Sequence, residues 1–417
     1  MSGINNIWLV NKYAMPPELE PRPRSIKFAH YLNLMGYKTK VFGSSVLHNM
    51  NTNLITDGAS YVEKQYGDIS FVHVKTPSYK KTSGLARVFS DFYFHWKLRF
   101  IAHKFEKPDV IIATTSPVLT NPLLDYAHKH GIKYITDIED MWPDDFVDFG
   151  FISESNPLMK LAYKQARYNY TKSDASVFTL SGCYDYLKQK KWDDESGGPV
   201  DISKVFYINN GVDLDFFNDC FSKYTIDDED LTQSEKKNII YLGSIRLVNN
   251  LVQAIKAAEI LKNRNDIQFL IYGDGDDRES LIEYCKEHDL VNVKFKAKWT
   301  DPKYVPFILK HGYLNLLNYV SSDFAKRGIS SGKMFQYMAS GRPIVCNINI
   351  LNCPITEHNI GIAHELKTPQ EYASAIEEIL SLSKEEYEAM CIRSYKTAEE
   401  FDFKYLAKRM AGVIEQL

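Results

Sequence analysis

Short apolar runs alternate with longer amphipathic stretches along almost the whole chain. The runs are rich in β-branched and aromatic residues, and their alternation with helical stretches is typical of βαβ units in a parallel sheet. In the first half the predicted strands are NIWLV, KTKVFG, ISFVHV, DVIIATT, IKYITDI and ASVFTL. In the second half they are NIIYLGS, IQFLIYG, VNVKFKA, GYLNLLNY and RPIVCN. The pattern therefore predicts an α/β protein with two doubly wound, Rossmann-like domains.

Helical periodicity marks several segments between the predicted strands. The clearest predicted helices are RSIKFAHYLNLMG, NPLLDYAHKHG, NNLVQAIKAAEILKNR and DRESLIEYCKEH. The last segment, FDFKYLAKRMAGVIEQL, carries an apolar stripe at helical spacing, formed by Phe401, Phe403, Leu406, Met410 and Val413. The stripe predicts that this final helix packs back across the junction between the two domains.

The length of the chain also indicates two domains, because 417 residues are too many for one hydrophobic core. Between the halves, CFSKYTIDDEDLTQSEKKN is acidic, polar and poor in large apolar residues, which predicts a linker or a surface loop. We assign residues 1–215 to an N-terminal domain, residues 216–400 to a C-terminal domain and residues 401–417 to the returning helix.

The composition describes an ordinary globular protein, with 44% hydrophobic and 25% charged residues. A net charge of -3 gives no reason to expect nucleic-acid binding. The six cysteines are scattered without a CxxC pair, so we expect neither disulfides nor a zinc site, and a cytoplasmic location. No apolar stretch reaches the ~18 residues of a membrane span, although the protein could lie on a membrane.

Four loops of the second half follow predicted strands and carry glycine, hydroxyl or cationic residues. They contain Gly243, Ser244 and Arg246; Gly273 and Gly275; Lys298 and Trp299; and Gly328, Ile329, Ser330, Ser331 and Lys333. Parallel sheets bind ligands at the carboxyl ends of their strands, and two such sheets facing each other would enclose one cleft. Each loop alone is also compatible with a plain strand-to-helix turn. Together, with Arg246 and Lys333 as cations, they favour a site for a nucleotide diphosphate.

Two common nucleotide-binding signatures are missing from the sequence. It has no GxxxxGK[ST] motif and no GxGxxG motif after the first strand, and YGDGDDR imitates the second only faintly. These absences disfavour kinases, ATPases and dehydrogenases.

Several stretches, taken in order, resemble the retaining GT-B glycosyltransferases of family 4. TDIEDMWPDD is similar to a stretch of a bacterial surface-polysaccharide branch of that family, and INNGVDLDFF resembles its domain-crossing segment. YLGSIR, IYGDGDDR and GISSGKMFQYMASGRPIV match three donor-site stretches in the family's order. The resemblance covers nearly the whole chain and implies the GT-B fold, with the last helix returning to the N-terminal domain.

The resemblance also implies roles for the loop residues. Arg246 and Lys333 would hold the donor diphosphate, Gly243 would give the backbone room, and Lys298 and Trp299 would lie beside the nucleotide base. No protein metal or cofactor is implied, and no cluster of His and Asp with ligand spacing occurs in the sequence. The cations and the N-terminus of the helix after Gly332 would stabilise the leaving diphosphate.

Two positions depart from the family pattern. The family often carries two acidic residues in an E-x7-E arrangement, and Gly328 and Gln336 occupy those places here. An amide can hydrogen-bond a ribose but supplies no charge, and glycine has no side chain for a sugar contact. The identity of the sugar is therefore open, with Asp323 and Arg327 as candidates for the replaced contact.

The implied reaction moves a sugar from a nucleotide-diphosphate sugar, which we expect to be UDP-linked, to a hydroxyl with retention of configuration. The acceptor would be a glycan or a polyprenyl-linked oligosaccharide in capsule, O-antigen or exopolysaccharide synthesis. Two alternatives stay open: a GT-B epimerase, and a catalytically weakened nucleotide-sugar-binding subunit. Gly328 and Gln336 favour the second alternative.

The first half contributes candidates for the acceptor side. Asp140 is the leading candidate for a catalytic role, with Glu139 and Trp142 beside it in an acidic turn after a strand. Arg22 or Arg24 either reaches the donor phosphates or caps a surface helix. Thr115 and Ser116 end another strand and are expected to line the cleft.

Residues 75–107 are basic and rich in aromatic side chains. Aromatic residues at helical spacing often belong to a core, but basic amphipathic segments of this kind also lie in anionic lipid interfaces. The family resemblance favours the second interpretation, because related enzymes act on lipid-linked acceptors. We therefore expect peripheral contact with the cytoplasmic face of a membrane as one outcome.

Overall fold

The computed structural model describes residues 3–19, 23–47, 50, 52–79, 85–114, 117–148, 150, 152–233, 235–320 and 323–417. The chain divides into two compact units, which differ slightly in their bounds from the domains assigned above. The first unit contains residues 1–209 and 403–417, and the second contains residues 210–402.

The first unit is built on an eight-stranded sheet. Its strands are β1 (Asn6–Asn11), β2 (Lys38–Ser44), β3 (Tyr61–Tyr66), β4 (Ile69–Val74), β5 (Val110–Thr114), β6 (Lys133–Ile138), β7 (Ala175–Phe178) and β8 (Val205–Tyr207). They lie in the order β3-β4-β2-β1-β5-β6-β7-β8, and all pairs are parallel except β3 with β4. In register, Ile7 of β1 faces Thr39 of β2 and Val110 of β5. The central strands are apolar along their length because both faces of a parallel sheet are covered.

Helices cover both faces of this sheet. In chain order they are α1 (Arg24–Leu34), α2 (Leu85–Ile101), α3 (Pro117–Lys129), α4 (Asp144–Asp148), α5 (Pro157–Lys172) and α6 (Cys183–Gln189). Phe94 and Leu98 of α2 share one core with Leu123 of α3 and Trp8 of β1. Helix α1 packs into the core on the opposite face.

The second unit is built on a six-stranded parallel sheet. Its strands are β9 (Lys237–Leu242), β10 (Ile267–Tyr272), β11 (Val293–Phe295), β12 (Leu314–Leu317), β13 (Ile344–Cys346) and β14 (Gly361–Ala363), in the order β11-β10-β9-β12-β13-β14. Its helices are α7 (Leu214–Lys223), α8 (Glu229–Thr232), α9 (Leu251–Ile260), α10 (Arg278–Glu287), α11 (Val305–Lys310), α12 (Gly332–Ala339), α13 (Pro354–Glu357), α14 (Pro369–Leu380) and α15 (Lys384–Glu400). Two parallel-sheet, Rossmann-like bodies therefore make up the chain, as the sequence predicts.

The last helix, α16 (Phe403–Ile414), belongs to the first unit although it follows the second. Its apolar stripe divides at the crossing point. The Phe401 ring lies 5.0 Å from that of Phe335 in the second unit, whereas the Phe403 ring lies 6.0 Å from that of Phe28 on α1. The predicted return of the C-terminal helix to the N-terminal domain is thus confirmed.

Three strands escape prediction from the sequence. Strand β3 is YVEKQY, which lies at the edge of its sheet and is mostly half-buried or exposed, so it lacks an apolar run. Strands β8 and β14 span three residues each, also at sheet edges, and are too short for a periodic signal.

The acidic segment between the halves is not a free linker. Its Asp228 carboxylate lies 2.9 Å from the Lys296 ammonium, and Asp230 pairs with both Lys294 and Lys296. These ion pairs hold the segment against the edge of the second sheet. Within the ranges that the structure describes, no helix is long and apolar enough to cross a membrane.

Candidate functional site

The candidate site lies where the loops after β9, β10 and β12 meet in the second unit. These strands are neighbours in a parallel sheet, so their carboxyl ends share one edge. The loops are joined directly by backbone hydrogen bonds. The amide of Ile245 donates to the carbonyl of Asp274 at 2.8 Å, and the amide of Val320 donates to the carbonyl of Val248 at 3.0 Å. Three of the four predicted loops are therefore in direct contact.

Glycine is required where these loops cross. Gly273 has φ of +130°, and a Cβ there would lie 1.8 Å from the carbonyl oxygen of Gly243. Gly275 has φ of +155°, and a Cβ there would lie 2.1 Å from the carbonyl oxygen of Ile245. Any side chain would strain the backbone and push the loops apart.

Gly243 serves a neighbour rather than empty space. A Cβ at this position would lie 2.7 Å from Cδ of Lys333, so the missing side chain makes room for the lysine stem. The family resemblance implies that Gly243 gives the backbone room. In the structure the Lys333 stem, from the first turn of α12, lies directly against this glycine.

Lys333 is a half-buried cation with a neutral partner. Its ammonium donates to Oδ1 of Asn249 at 2.9 Å and lies 5.2 Å and 5.4 Å from the ring centres of Tyr241 and Tyr319. Among the described residues, no carboxylate lies within ion-pairing distance of this ammonium. Burial lowers the pKa of Lys333 to about 8. An anion bound here would find a positive charge that none of the described carboxylates neutralises.

Asn249 connects Lys333 to the loop after β9. Its side-chain Nδ2 donates to the carbonyl and to Oγ of Ser244, both at 2.9 Å. Its backbone N–H donates to the carbonyl of Arg246 at 2.8 Å. Asn249 is buried, while the side chains of Ser244 and Arg246 are exposed. The sequence gives no signal for this role, because one asparagine in a polar loop is indistinguishable from a turn residue.

The N-terminus of α12 is fixed relative to β9. The hydroxyl of Tyr337 donates to the carbonyl of Leu242 and accepts from its amide, both at 3.1 Å. Met334, Phe335 and Met338 of the same helix lie in the core. The first turn of α12, which contains Lys333 and the positive end of the helix dipole, is thereby fixed relative to β9.

The residues before and within α12 have different surroundings. Gly328 is buried at φ of +96°, and Ile329 is buried in the core. Ser331 and Gln336 are half-buried, with Gln336 almost one turn after Lys333. None of the described residues offers a hydrogen-bond partner to the buried Oγ of Ser330. The side chain of Asp323 lies outside the described residues.

The loop after β11 is the most exposed of the four. Lys298 pairs with Glu279 at 2.9 Å, and this partner lowers the pKa of the Glu279 carboxyl. Trp299 is 74% exposed. The buried Arg278 ties this loop to the glycine loop, donating from Nε to the carbonyl of Gly273 at 3.0 Å and from Nη2 to that of Lys296 at 2.9 Å. The sequence carries no signal for Arg278, because its two carbonyl partners belong to separate loops.

Arg24 of the first unit does neither of the two things expected of it. Its guanidinium forms a bidentate pair with Asp137 at 2.9 Å and 2.8 Å, and it also donates to the carbonyls of Asn209 and Ile208. Thr114 donates to the same carboxylate at 3.0 Å. Arg24 and Asp137 are both about 1% exposed. The arginine is therefore an internal tie between α1, β6 and the end of β8, and it is not carried into the proposed site.

The acidic turn after β6 is only partly available for chemistry. Asp140 is exposed, and the carbonyl of Glu139 accepts from Thr179 Oγ1 at 3.0 Å. Trp142 is half-buried, with its ring 5.7 Å from that of Phe146. Arg22, Thr115 and Ser116, also predicted for the acceptor side, lie outside the described residues.

Asp144, in the same stretch, has a structural role that the sequence did not reveal. It is buried, accepts from Tyr163 at 3.0 Å and Tyr186 at 2.7 Å, and pairs with Lys190 at 2.8 Å. Its partners lie 19 to 46 residues further along the chain. Such a distant cluster cannot be recognised from one short motif.

Comparison with known proteins places the candidate site inside a recognised domain. Residues 223–397 match the family model described as Glycosyl transferases group 1. A relative, the 2-deoxystreptamine N-acetyl-D-glucosaminyltransferase of Niallia circulans, is 26% identical over 165 residues. That alignment covers 39% of this chain and 40% of the relative, so the match spans less than half of that protein's length.

Solved structures resemble the whole chain in fold. Sucrose-phosphate synthase from Thermosynechococcus elongatus has a TM-score of 0.72 at 13% identity, covering 99% of this chain and 98% of its own. A trehalose-6-phosphate structure from E. coli bound with UDP-2-fluoro glucose has a TM-score of 0.73 at 10% identity, covering 99% of both chains. A glycosyltransferase from Rickettsia africae has a TM-score of 0.65 at 14% identity, covering 99% and 98%. The chain has the GT-B fold, and the domain match supports a glycosyltransferase.

Proposed function

We propose that this chain is a retaining glycosyltransferase that binds a nucleotide-diphosphate sugar, UDP-linked, at the loops around Lys333. The supporting observation is the Lys333 ammonium itself, which is half-buried beside neutral groups and lies at the N-terminus of α12. A buried cation without a protein anion is costly unless a ligand supplies the negative charge. The match of residues 223–397 to the group 1 glycosyl transferases supports the same interpretation.

In the proposed reaction, negative charge develops on the diphosphate as its bond to the sugar breaks. The Lys333 ammonium and the N-terminal amides of α12 would stabilise that charge without moving, because Tyr337 and Asn249 already hold them in place. Arg246 would approach the phosphates from its exposed position in the loop after β9. The glycine loops at Gly273 and Gly275 would bring backbone amides close to the nucleotide.

The sugar and base contacts remain part of the proposal. Gln336, half-buried on α12, would hydrogen-bond hydroxyls of the donor, and Trp299 with its large exposed ring would lie near the base. On the acceptor side, Asp140 would position the attacking hydroxyl. We propose a glycan or polyprenyl-linked oligosaccharide of a bacterial surface polysaccharide as acceptor, and transfer that needs no metal.

Nucleotide choice is tested by thermal unfolding with UDP, GDP or ADP. A ligand at ~100 times its dissociation constant adds roughly 2.7 kcal/mol of stability. We expect UDP to stabilise the wild type and to stabilise Lys333→Met and Arg246→Ala clearly less. Lys262→Met, at an exposed lysine of the same unit, serves as the control and should respond like the wild type. No stabilisation by any of the three nucleotides would contradict the proposed site.

Turnover separates an enzyme from a nucleotide-sugar-binding subunit. We expect the wild type with excess chelator to release UDP from a UDP-sugar, and NMR of the product to show the anomeric configuration of the donor. Binding of UDP with no turnover of any UDP-sugar, with or without lipid-linked acceptors, would instead indicate the subunit. An inverted product would contradict retention while leaving the nucleotide site in place.

A further inference from the structure

Helix α2 is apolar on two opposite faces. Phe94, Leu98 and Ile101 point into the core of the first unit. On the other face Val88, Phe89, Phe92, Trp96 and Phe100 stay between 39% and 57% exposed. The spacing of these five residues places them along one side of the helix, and we call them the aromatic face. An ordinary surface helix would carry polar residues there.

The rings of the aromatic face contact one another and the neighbouring Tyr93. The Trp96 and Phe100 rings lie 4.5 Å apart, and the Phe89 ring lies 6.1 Å from that of Tyr93. The guanidinium of Arg99 lies 4.8 Å from the Phe100 ring. Arg87 donates to the Tyr13 hydroxyl, whereas Lys97 donates to the carbonyl of Lys75 and lies 5.7 Å from the centre of the Tyr93 ring. The result is a mainly apolar surface with a cation at its end.

Helix α5 extends this surface with charge. Helix α3 packs against both α2 and α5, so the three form one layer on the first unit. On α5, Leu158 and Leu161 are exposed together with Lys160, Lys164 and Arg167. Leucine beside long cationic side chains is typical of interfacial helices, whose lysines keep their charge in water while their stems cover apolar surface.

The layer differs in charge from the rest of the chain. Helices α2, α3 and α5 contain eight Lys or Arg residues and two Asp residues, although the whole chain has a net charge of -3. One of the two, Asp91, is buried and pairs with Lys12. Arg87 and Lys97 donate to other groups of the first unit, but five further cations of the layer are exposed: Lys129, Lys160, Lys164, Arg167 and Lys172. The outer surface of the layer is therefore basic as well as apolar.

We propose that the layer of α2, α3 and α5 docks on an anionic lipid bilayer, with the aromatic face entering the headgroup region. Exposed aromatic side chains and basic residues on neighbouring helices are the two components that such binding combines. A second copy of the chain is a poorer occupant, because symmetric pairing would bring two basic layers together. The proposed function gives this docking a use with a membrane-borne acceptor, but the docking can be measured without any donor or acceptor.

The test is flotation of the full chain with vesicles. The vesicles contain phosphatidylcholine alone or phosphatidylcholine with phosphatidylglycerol. We expect the wild type to float with the anionic vesicles and to dissociate at high salt. The double variant Phe92→Ser with Trp96→Ser should bind roughly tenfold more weakly. Lys160→Gln and Lys164→Gln should each weaken binding about fivefold.

A variant far from the aromatic face in the sequence serves as the control. Ile392→Ser removes an exposed apolar side chain on α15 in the second unit and should bind like the wild type. Circular dichroism checks that each variant is folded. Failure of the wild type to float, or equal binding by the aromatic-face variant, would overturn the proposal. So would sedimentation showing a dimer that this variant dissociates, since the face would then join two chains.

Discussion

Arg24 and Lys333 occupy similar positions in the sequence, each near the start of a helix, but they have different partners in the structure. Arg24 is the first residue of α1, and Lys333 is the second residue of α12. Arg24 is enclosed by the Asp137 carboxylate and two carbonyl oxygens. Lys333 has one neutral amide oxygen as its partner, and its pKa falls to about 8.

The difference separates a structural cation from a candidate ligand site. The first unit supplies Arg24 with its own anion, so its charge stabilises the fold and is unavailable to a phosphate. The second unit leaves Lys333 without one among the described residues, so its charge destabilises the empty protein and favours an anionic ligand. A cation near a helix start is therefore informative only once its partners are known.

The largest expected effect is a loss of stability when Arg24, the cation with a carboxylate partner, is replaced. Arg24→Met leaves the buried Asp137 carboxylate without its partner, which should lower the free energy of unfolding by about 3–5 kcal/mol. Lys333→Met should cost less, because none of the described carboxylates loses its partner and only the Asn249 Oδ1 acceptor is left unpaired. Chemical denaturation measures both values.

A double-mutant cycle sharpens this first prediction. Arg24→Met combined with Asp137→Asn should cost clearly less than the sum of the two single variants. If the losses of the two single variants simply add up in the double variant, the two side chains do not stabilise each other. Arg24 would then not be a cation satisfied by Asp137.

The next effect concerns the glycine at the loop crossing. Gly273→Ala places a Cβ against the Gly243 carbonyl at a positive φ, and we expect a loss of about 2–3 kcal/mol in the free energy of unfolding. Gly332→Ala, in open space at the start of α12, is the matched control and should change stability little. Equal stabilities of the two variants would contradict the interlocked loops.

A smaller effect is expected on nucleotide affinity. Lys333→Met should weaken UDP binding by about 2 kcal/mol, or roughly thirtyfold, because a charge-assisted contact is lost. Lys333→Arg retains the charge and should recover part of the affinity. Isothermal titration calorimetry gives both values, and unchanged affinity in Lys333→Met would remove the lysine from the site.

The smallest effect is a pH dependence. Because the pKa of Lys333 is about 8 in the free protein, its ammonium loses its proton above that pH. Bound diphosphate favours the charged form, so UDP affinity should stay level from pH 7 to about 8 and then fall by at most tenfold per pH unit. In Lys333→Met the affinity should be flat over the same range. An equal fall in the variant would assign the titration to another group.

The sequence indicated the order of the fold and the loop that carries Lys333. All eleven predicted strands correspond to observed ones. Ten of them are central strands, which are continuous apolar runs in parallel sheets, and the edge strand β11 lies in VNVKFKA, which alternates apolar and polar residues. The edge strand β3 has neither signal.

The partners of Arg24 and Lys333 could not be predicted from the sequence. Arg24 meets Asp137 from 113 residues away, and Lys333 meets Asn249 from 84 residues away. Neither contact follows a local period, so only the folded topology reveals which cation is satisfied. The same holds for Arg278, whose hydrogen bonds to two carbonyl oxygens distinguish it from an exposed helix residue.

The most direct test follows the Lys333 amine itself. NMR of lysine side chains, assigned with Lys333→Met, measures its pKa with and without saturating UDP. We expect a pKa near 8 in the free protein and a clearly higher value with UDP, because the diphosphate would stabilise the ammonium. An unchanged pKa at saturation would contradict a diphosphate at Lys333, wherever else on the chain the nucleotide bound.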